Sequence, residues 1–128
     1  APPGGPPPLA PFYAHCPACH ALPSASPPGF LHGDLDAVER KLQRCAARIR
    51  FRLSMWSLPE AARAKVPMPP PLFVPAWEHA PPRPDIEGML AYAARALGSA
   101  AGAAADRGYE SLPQCREPGM DAHDARGR

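Results

Sequence analysis

The chain has 128 residues, 21 of them proline, and a formal charge of +2. That length holds one domain, and a proline share about three times the usual one excludes regular structure throughout, since each proline removes a backbone donor and fixes φ. The weak charge makes no case for nucleic acid, no run of about 18 apolar residues is present to span a membrane, and nothing resembles a catalytic triad, a phosphate loop or paired carboxylates, so no enzyme is expected.

Residues 1–11 hold six prolines and two glycines and read as a polyproline-like tail or linker. The start Ala1-Pro2-Pro3, without Met, is that of a processed or excised segment. Phe12, Tyr13 and Ala14 leave room for only a short helical turn before Cys16.

Cys16-Pro17-Ala18-Cys19-His20 follows. A C-x-x-C-H run reads as a covalent attachment site for c-type haem. Two intervening residues let one turn of backbone present both thiols to one edge of a macrocycle. His20 then supplies the proximal imidazole to the iron. Other chemistries use the same spacing. Half of a zinc site needs a second ligand pair, and the remaining cysteines, Cys45 and Cys115, stand alone. A thioredoxin-type dithiol sits in a βαβ unit, and no strand pattern surrounds the motif. An ordinary disulfide beside an unrelated histidine is the third alternative.

Ala21 to Gly33 is rich in Pro and Ser, which excludes regular structure. A haem histidine donates its second ring proton to a carbonyl or carboxylate, and a backbone carbonyl within residues 26–29 is the expected acceptor. Phe30 and Leu31 return the chain to the core. The first long helix is predicted from about Asp36 to Trp56, with Asp36 and Glu39 as a capping box. Leu35, Val38, Leu42, Cys45, Ile49, Leu53 and Trp56 form its apolar stripe. Arg40, Lys41, Arg44, Arg48, Arg50 and Arg52 lie opposite, as a solvated face or as a docking patch for an acidic redox partner. Met55 lies about 140° from the centre of the stripe, away from the packed face.

Ser57 with Pro59 and Glu60 predicts a second helix start, with a short helix from Leu58 to about Ala64. Val66 to Pro75, containing Pro67-Met68-Pro69-Pro70-Pro71, is extended and stiff. Residues 76–84 form a polar connection. The last helix is predicted from about Asp85 to Ala105, burying Ile86, Met89, Leu90, Ala93 and Leu97, with Gly108 as the stop. Tyr109 and Leu112 make a final packing contact, and residues 116–128 form a polar tail. The domain proper is therefore expected over residues 12–115.

With predicted helices, C-x-x-C-H near the start and Pro-Met-Pro before the last helix, residues 12–112 resemble the class I monohaem c-type cytochromes. The resemblance implies an all-α fold: a small cytochrome c-like domain wrapped around one covalently bound haem c, with proline-rich tails and loops. It implies haem thioethers at Cys16 and Cys19, His20 as proximal iron ligand, and a methionine on a downstream loop as distal ligand. Met68, 48 residues after His20, fits that position, and Val66, Leu72, Phe73 and Val74 would cover the distal face. The implied function is electron transfer, as a free monohaem cytochrome or as a domain or subunit of a larger oxidoreductase. Redox partner proteins such as a periplasmic dehydrogenase or oxidase would exchange the electron. A haem-based sensor or ligand-binding module with an open sixth position, or a bis-histidine site using His32 or His79, is the alternative. Haem attachment places the chain in the periplasm or otherwise outside the bacterial cytoplasm, where Cys45 and Cys115 are expected to form a disulfide; the bland alternative for Cys45 is a small buried hydrophobe.

Overall fold

A computed structural model describes residues 6–23, 27–98 and 108–115. The expected tail at 116–128 and the second half of the last helix lie outside them. Five α-helices, α1 (Ala10–His15), α2 (Pro17–His20), α3 (Leu35–Arg44), α4 (Ala46–Ser54) and α5 (Arg83–Leu97), are joined by loops and short 3-10 turns. The described residues contain no strand, so the all-α class holds.

Helix starts sooner than the proline count implies. A 3-10 turn, Pro7–Leu9, runs into α1, and prolines stand in the first turn of each. A proline costs nothing there, because the missing N–H belongs to a group with no helical partner anyway. Leu9, in the segment read as tail, is 1% exposed, as is Phe12. Pro17 then resets the helix: it has no N–H to donate, so α1 ends at His15 and α2 begins two residues later, at Pro17 itself. Cys16 spans the join, its N–H bonding to Phe12 O and its carbonyl accepting from His20 N.

The predicted first long helix is two helices. It breaks at Cys45 (φ −107°, ψ 22°), which separates α3 from α4. The cap of α3 is Asp34, whose side chain accepts from Ala37 N at 2.9 Å; Asp36, the expected cap, lies inside the first turn. Ser57 caps nothing either. Its hydroxyl donates to Ser54 O, and only a 3-10 turn, Glu60–Ala62, forms where a short helix was predicted. α5 begins at Arg83 and ends at Leu97, capped by Gly98 rather than by the expected Gly108; φ at Gly98 is +54°, a conformation that glycine adopts without a Cβ penalty.

α5 is the element the others share: α1, α3 and α4 all pack on it. Its buried face presents Ile86, Met89 and Ala93. The main core joins Met89 to Leu9, Phe12, Val38, Leu42 and Leu53. Trp56, Trp77 and Ile86 form a second, smaller cluster. Cys45 and Cys115 are disulfide-bonded, as expected, with Cα atoms 4.5 Å apart across 70 residues of sequence. Closing a loop of that length stabilises by about 4 kcal/mol in the chain-entropy model.

The capping assignment is testable. Asp34→Ala should lower unfolding free energy by about 1 kcal/mol, the usual cost of losing a cap. Asp36→Ala, with no cap bond to lose, should stay within about 0.5 kcal/mol. Denaturant melts of the two variants compare them directly, and an equal loss at both positions would remove the distinction.

Candidate functional site

A cavity of about 880 Å³ opens between the motif, α4 and the loop that precedes α5. That volume falls within the roughly 300–1,000 Å³ of ordinary ligand pockets. Cys16, Cys19 and His20 line one side, and Met68, Pro69, Pro70, Phe73 and Val74 line another. Ile49, Leu53 and Met89 supply apolar wall between them. The four residues singled out in the sequence are therefore brought to one cavity.

His20 is held on several sides. Its Nδ1 lies 2.7 Å from Pro28 O. A carbonyl only accepts, so Nδ1 carries the proton and Nε2 keeps a free lone pair. The acceptor falls in the stretch expected to provide it. The Phe30 ring stacks on the imidazole at 4.3 Å, and His20 O accepts from Leu31 N at 2.9 Å. Burial pushes the pKa of His20 below its usual value, against a smaller upward pull from the Pro28 hydrogen bond. The ring is thus oriented and biased towards the neutral form, the state of an imidazole that donates to a metal.

The thiols are free: Cys16 and Cys19 are unbridged. Burial, then the neighbouring Cys19, pushes the Cys16 thiol up to about 12. An exchange dithiol works through a depressed pKa, so Cys16 has the opposite tuning. A zinc centre needs four ligands, and no cluster of three or more His, Cys, Asp or Glu side chains able to hold an ion occurs among the described residues.

The loop from Val66 to Val74 is pinned from behind. Met68 N donates to Arg52 O at 3.4 Å, and Met68 O accepts from Trp56 Nε1 at 3.1 Å. Arg52 Nη1 donates to Val66 O at 2.8 Å, and the Met68–Pro69 peptide is cis. Arg63 braces the next turn: Nε donates to Met55 O, both Nη atoms reach the Glu78 carboxylate, and the guanidinium lies over Trp56. Arg63 holds the Glu78 carboxyl below its usual pKa. Of the residues expected to cover Met68, Phe73 and Val74 line the cavity, although Phe73 is itself 67% exposed, whereas Val66 and Leu72 are exposed and lie outside its lining. The segment is not extended throughout: Phe73 N donates to Pro70 O and Val74 N to Pro71 O, and this turn carries Phe73 and Val74 to the cavity.

Met89 also lines the cavity and is fully buried. Met55 is buried as well, contrary to the helical-wheel reading, because α4 ends at Ser54 and a 3-10 turn carries Met55 inward. It is not part of the cavity lining. Met120 lies outside the described residues.

Several lining residues were not singled out in the sequence. Arg48 and Arg52, read there as part of a solvated face, belong to the cavity wall, as do His15, Tyr109 and Gln114. Their signal was present: Arg48 and Arg52 sit four apart on α4, each directly before an apolar residue of the stripe, Ile49 and Leu53. The Tyr109 ring gathers cations, with Arg48 Cζ at 4.6 Å, Arg52 Cζ at 4.9 Å and Lys65 Nζ at 5.2 Å. Glu110 pairs with Lys65 at 2.9 Å. Arg52 Nε is buried without a hydrogen-bond partner. A buried donor left unpaired costs free energy and calls for an acceptor. His15 bonds Asp85 on α5 at 2.7 Å and meets Trp77 edge-on at 5.0 Å, joining α1 to the loop and to α5.

The state of His20 gives a prediction. In the chain with its cavity empty, nitrogen NMR should find the proton on Nδ1 and a midpoint below 6.5, because burial outweighs the hydrogen bond. The folded chain then holds its second ring proton less tightly than the unfolded one. Stability from this group is therefore lost as pH falls below about 6.5. A midpoint at or above that value would mean the Pro28 bond dominates. No family model, characterised protein or solved structure matches this chain, so the case for its function rests on these residues.

Proposed function

We propose that this chain is a monohaem c-type electron carrier, free-standing or part of a larger oxidoreductase, with haem c joined to Cys16 and Cys19. His20 and Met68 are the residues that would hold its iron. The observation that carries the reading is convergence. Two free thiols, an imidazole whose Nε2 lone pair the Pro28 bond leaves uncommitted, and a loop methionine line one mainly apolar cavity.

The residues fit that group in a further respect. A haem carries two carboxylates, and the cavity wall holds two guanidiniums, one with a buried donor that lacks an acceptor. Arg52 and Arg48 would take the acidic edge. When bound, the group supplies an iron that cycles between ferrous and ferric states. Everything else is the work of the protein. His20 is oriented by Pro28 and Phe30, so its Nε2 needs little reordering to serve as a ligand. Trp56 and Arg52 hold the Met68 backbone, which lowers the entropy cost of presenting its sulfur. Pro69, Pro70 and Val74 supply apolar wall beside Met68, and a thioether ligand would favour the reduced metal.

The disulfide is compatible with an exported protein, and the proposed location is the bacterial periplasm. No described helix is long and apolar enough to cross a membrane. The proposed partners are redox proteins such as a periplasmic dehydrogenase or oxidase.

Expression with haem-maturation machinery in an oxidising compartment should give a coloured protein whose colour survives acid–acetone extraction. Cys16→Ser with Cys19→Ser should release it to the solvent. Extractable colour in the unmutated protein, or none at all, would end the proposal.

The distal position has its own test. Met68→His should lower the reduction potential by at least about 100 mV, because imidazole favours ferric iron relative to thioether. Met68→Ala should open the iron to carbon monoxide. Met89→Leu, although it alters a lining residue, should do neither. Carbon monoxide binding by the unmutated protein would replace the carrier reading with a ligand-binding one, and loss of the iron–sulfur bond in Met89→Leu alone would move the ligand to α5.

A further inference from the structure

The segment Gly108–Cys115 is a wall of the cavity, because Tyr109, Gln114 and Cys115 all line it. The way it is held is unlike the helices. Two of its backbone bonds, Ser111 N to Gly108 O and Leu112 N to Tyr109 O, lie inside its own turn. Side chains of the body tie it down: Arg48 Nε donates to Leu112 O at 3.0 Å, Arg48 Nη2 to Glu110 O at 3.1 Å, and Lys65 pairs with Glu110. Leu112 is buried, and Tyr109 packs on Phe51. Of its side chains only Leu112 and Cys115 are buried, and its one regular element is the single 3-10 turn Tyr109–Ser111, the features of a segment of low local stability. Its covalent tether is the bond from Cys115 to Cys45.

We propose that the Cys45–Cys115 disulfide is a redox lock on this strap: reduction by a dithiol frees Gly108–Cys115 and opens the cavity wall, and a filled cavity shields the bond from reduction. The positions of the two sulfurs support it. Cys45 is fully buried beneath α3 and α4, at the break between them, whereas Cys115 lines the cavity. A thiolate of the dithiol attacks Cys115 Sγ. Cys45 leaves as a thiolate and takes up a proton. The second thiol of the reductant then resolves the mixed disulfide. Two electrons pass from the dithiol, which ends as its own disulfide, and Cys45 and Cys115 end as thiols. The bond also tethers Arg48 indirectly. Once the strap leaves, Arg48 loses both carbonyl acceptors and is released from the wall.

The shielding rests on the cavity holding a haem, as proposed above; the lock does not. The test uses the full chain in two forms, matured with haem and produced without maturation. Each is treated with dithiothreitol. Thiols are counted by alkylation at each cysteine, and amide hydrogen exchange is followed by peptide. In the form without haem, reduction at Cys45 and Cys115 should speed exchange in the 108–115 peptide at least tenfold more than in the Arg83–Leu97 peptide, whose own rise reports only the bond's contribution to global stability. The haem-loaded form should be reduced at least tenfold more slowly. Cys45→Ser with Cys115→Ser, matured with haem, should show the same localised increase without reductant. Unchanged exchange in the strap overturns the lock, and so does an equal rise in α5, which would make the bond a global staple. A chain with no protected amides in either form also overturns it. Equal reduction rates in the two forms overturn the shielding alone. Failure to retain haem at all is a separate outcome that counts against the carrier proposal, and the form without haem still decides the lock.

Discussion

The hydrogen bond from His20 to the Pro28 carbonyl is the constraint on which the site depends. A carbonyl cannot donate, so the bond selects one tautomer and one ring orientation together. It also reverses the chain. His20 O accepts from Leu31 N, so residues 20 and 27–31 close on each other and bring Phe30 face to face with the imidazole. Phe30 and Leu31 are buried in the main core. The segment that positions the histidine is thereby the segment that joins the motif to α3. Prolines suit this reversal, because Pro27 and Pro28 limit the conformations the unfolded loop would otherwise explore.

Core and cavity are not separate regions. Phe12, Phe30, Leu53, Met89 and Cys115 belong both to the core cluster and to the cavity lining. In a chain with only 7% aromatics, apolar side chains that would close a core in a larger domain leave one side facing the cavity. An occupant that binds the folded chain and not the unfolded one would add its binding free energy to stability. Substitutions at these shared positions therefore alter packing and site together. Arg52 and Met68 stand at the margin of the core, which makes them cleaner probes of the site.

Much of the fold was legible in the chain, and the exceptions have physical causes. The 3.6 periodicity located α3, α4 and α5, and the acceptor for His20 was expected within two residues of where it lies. Prolines misled at the N-terminus. Their composition argues for an extended tail, but Pro7, Pro8 and Pro11 occupy first-turn positions where a missing N–H costs nothing. Asp34 and Asp36 are both acceptable caps locally, and the chain reversal at Gly33, where φ is +103°, decides between them. Met55 was misjudged because the helical period stops at Ser54, and a 3-10 turn does not advance by 100° per residue. No periodicity announces the break at Cys45, since both sides continue the same apolar stripe; only its pairing with Cys115 marks the position.

The basic wall was the least legible part. On a helical wheel Arg48 and Arg52 fall among solvated cations, and an arginine beside an apolar stripe is ordinarily free to extend into water. The tertiary structure denies them that. The strap crosses α4 and takes Arg48 through two carbonyls, while Val66 and the Tyr109 ring take Arg52. Two guanidiniums one helical turn apart repel, and Glu110 on the same strap already pairs with Lys65. The wall therefore carries more positive charge than the neighbouring carboxylate offsets, together with a buried Nε that lacks an acceptor. Its character is opposite to that of the apolar loop around Met68. The cavity is thus polarised, with apolar walls at its thioether side and cations at the strap, which suits a flat apolar molecule with acids along one edge better than a uniformly apolar one.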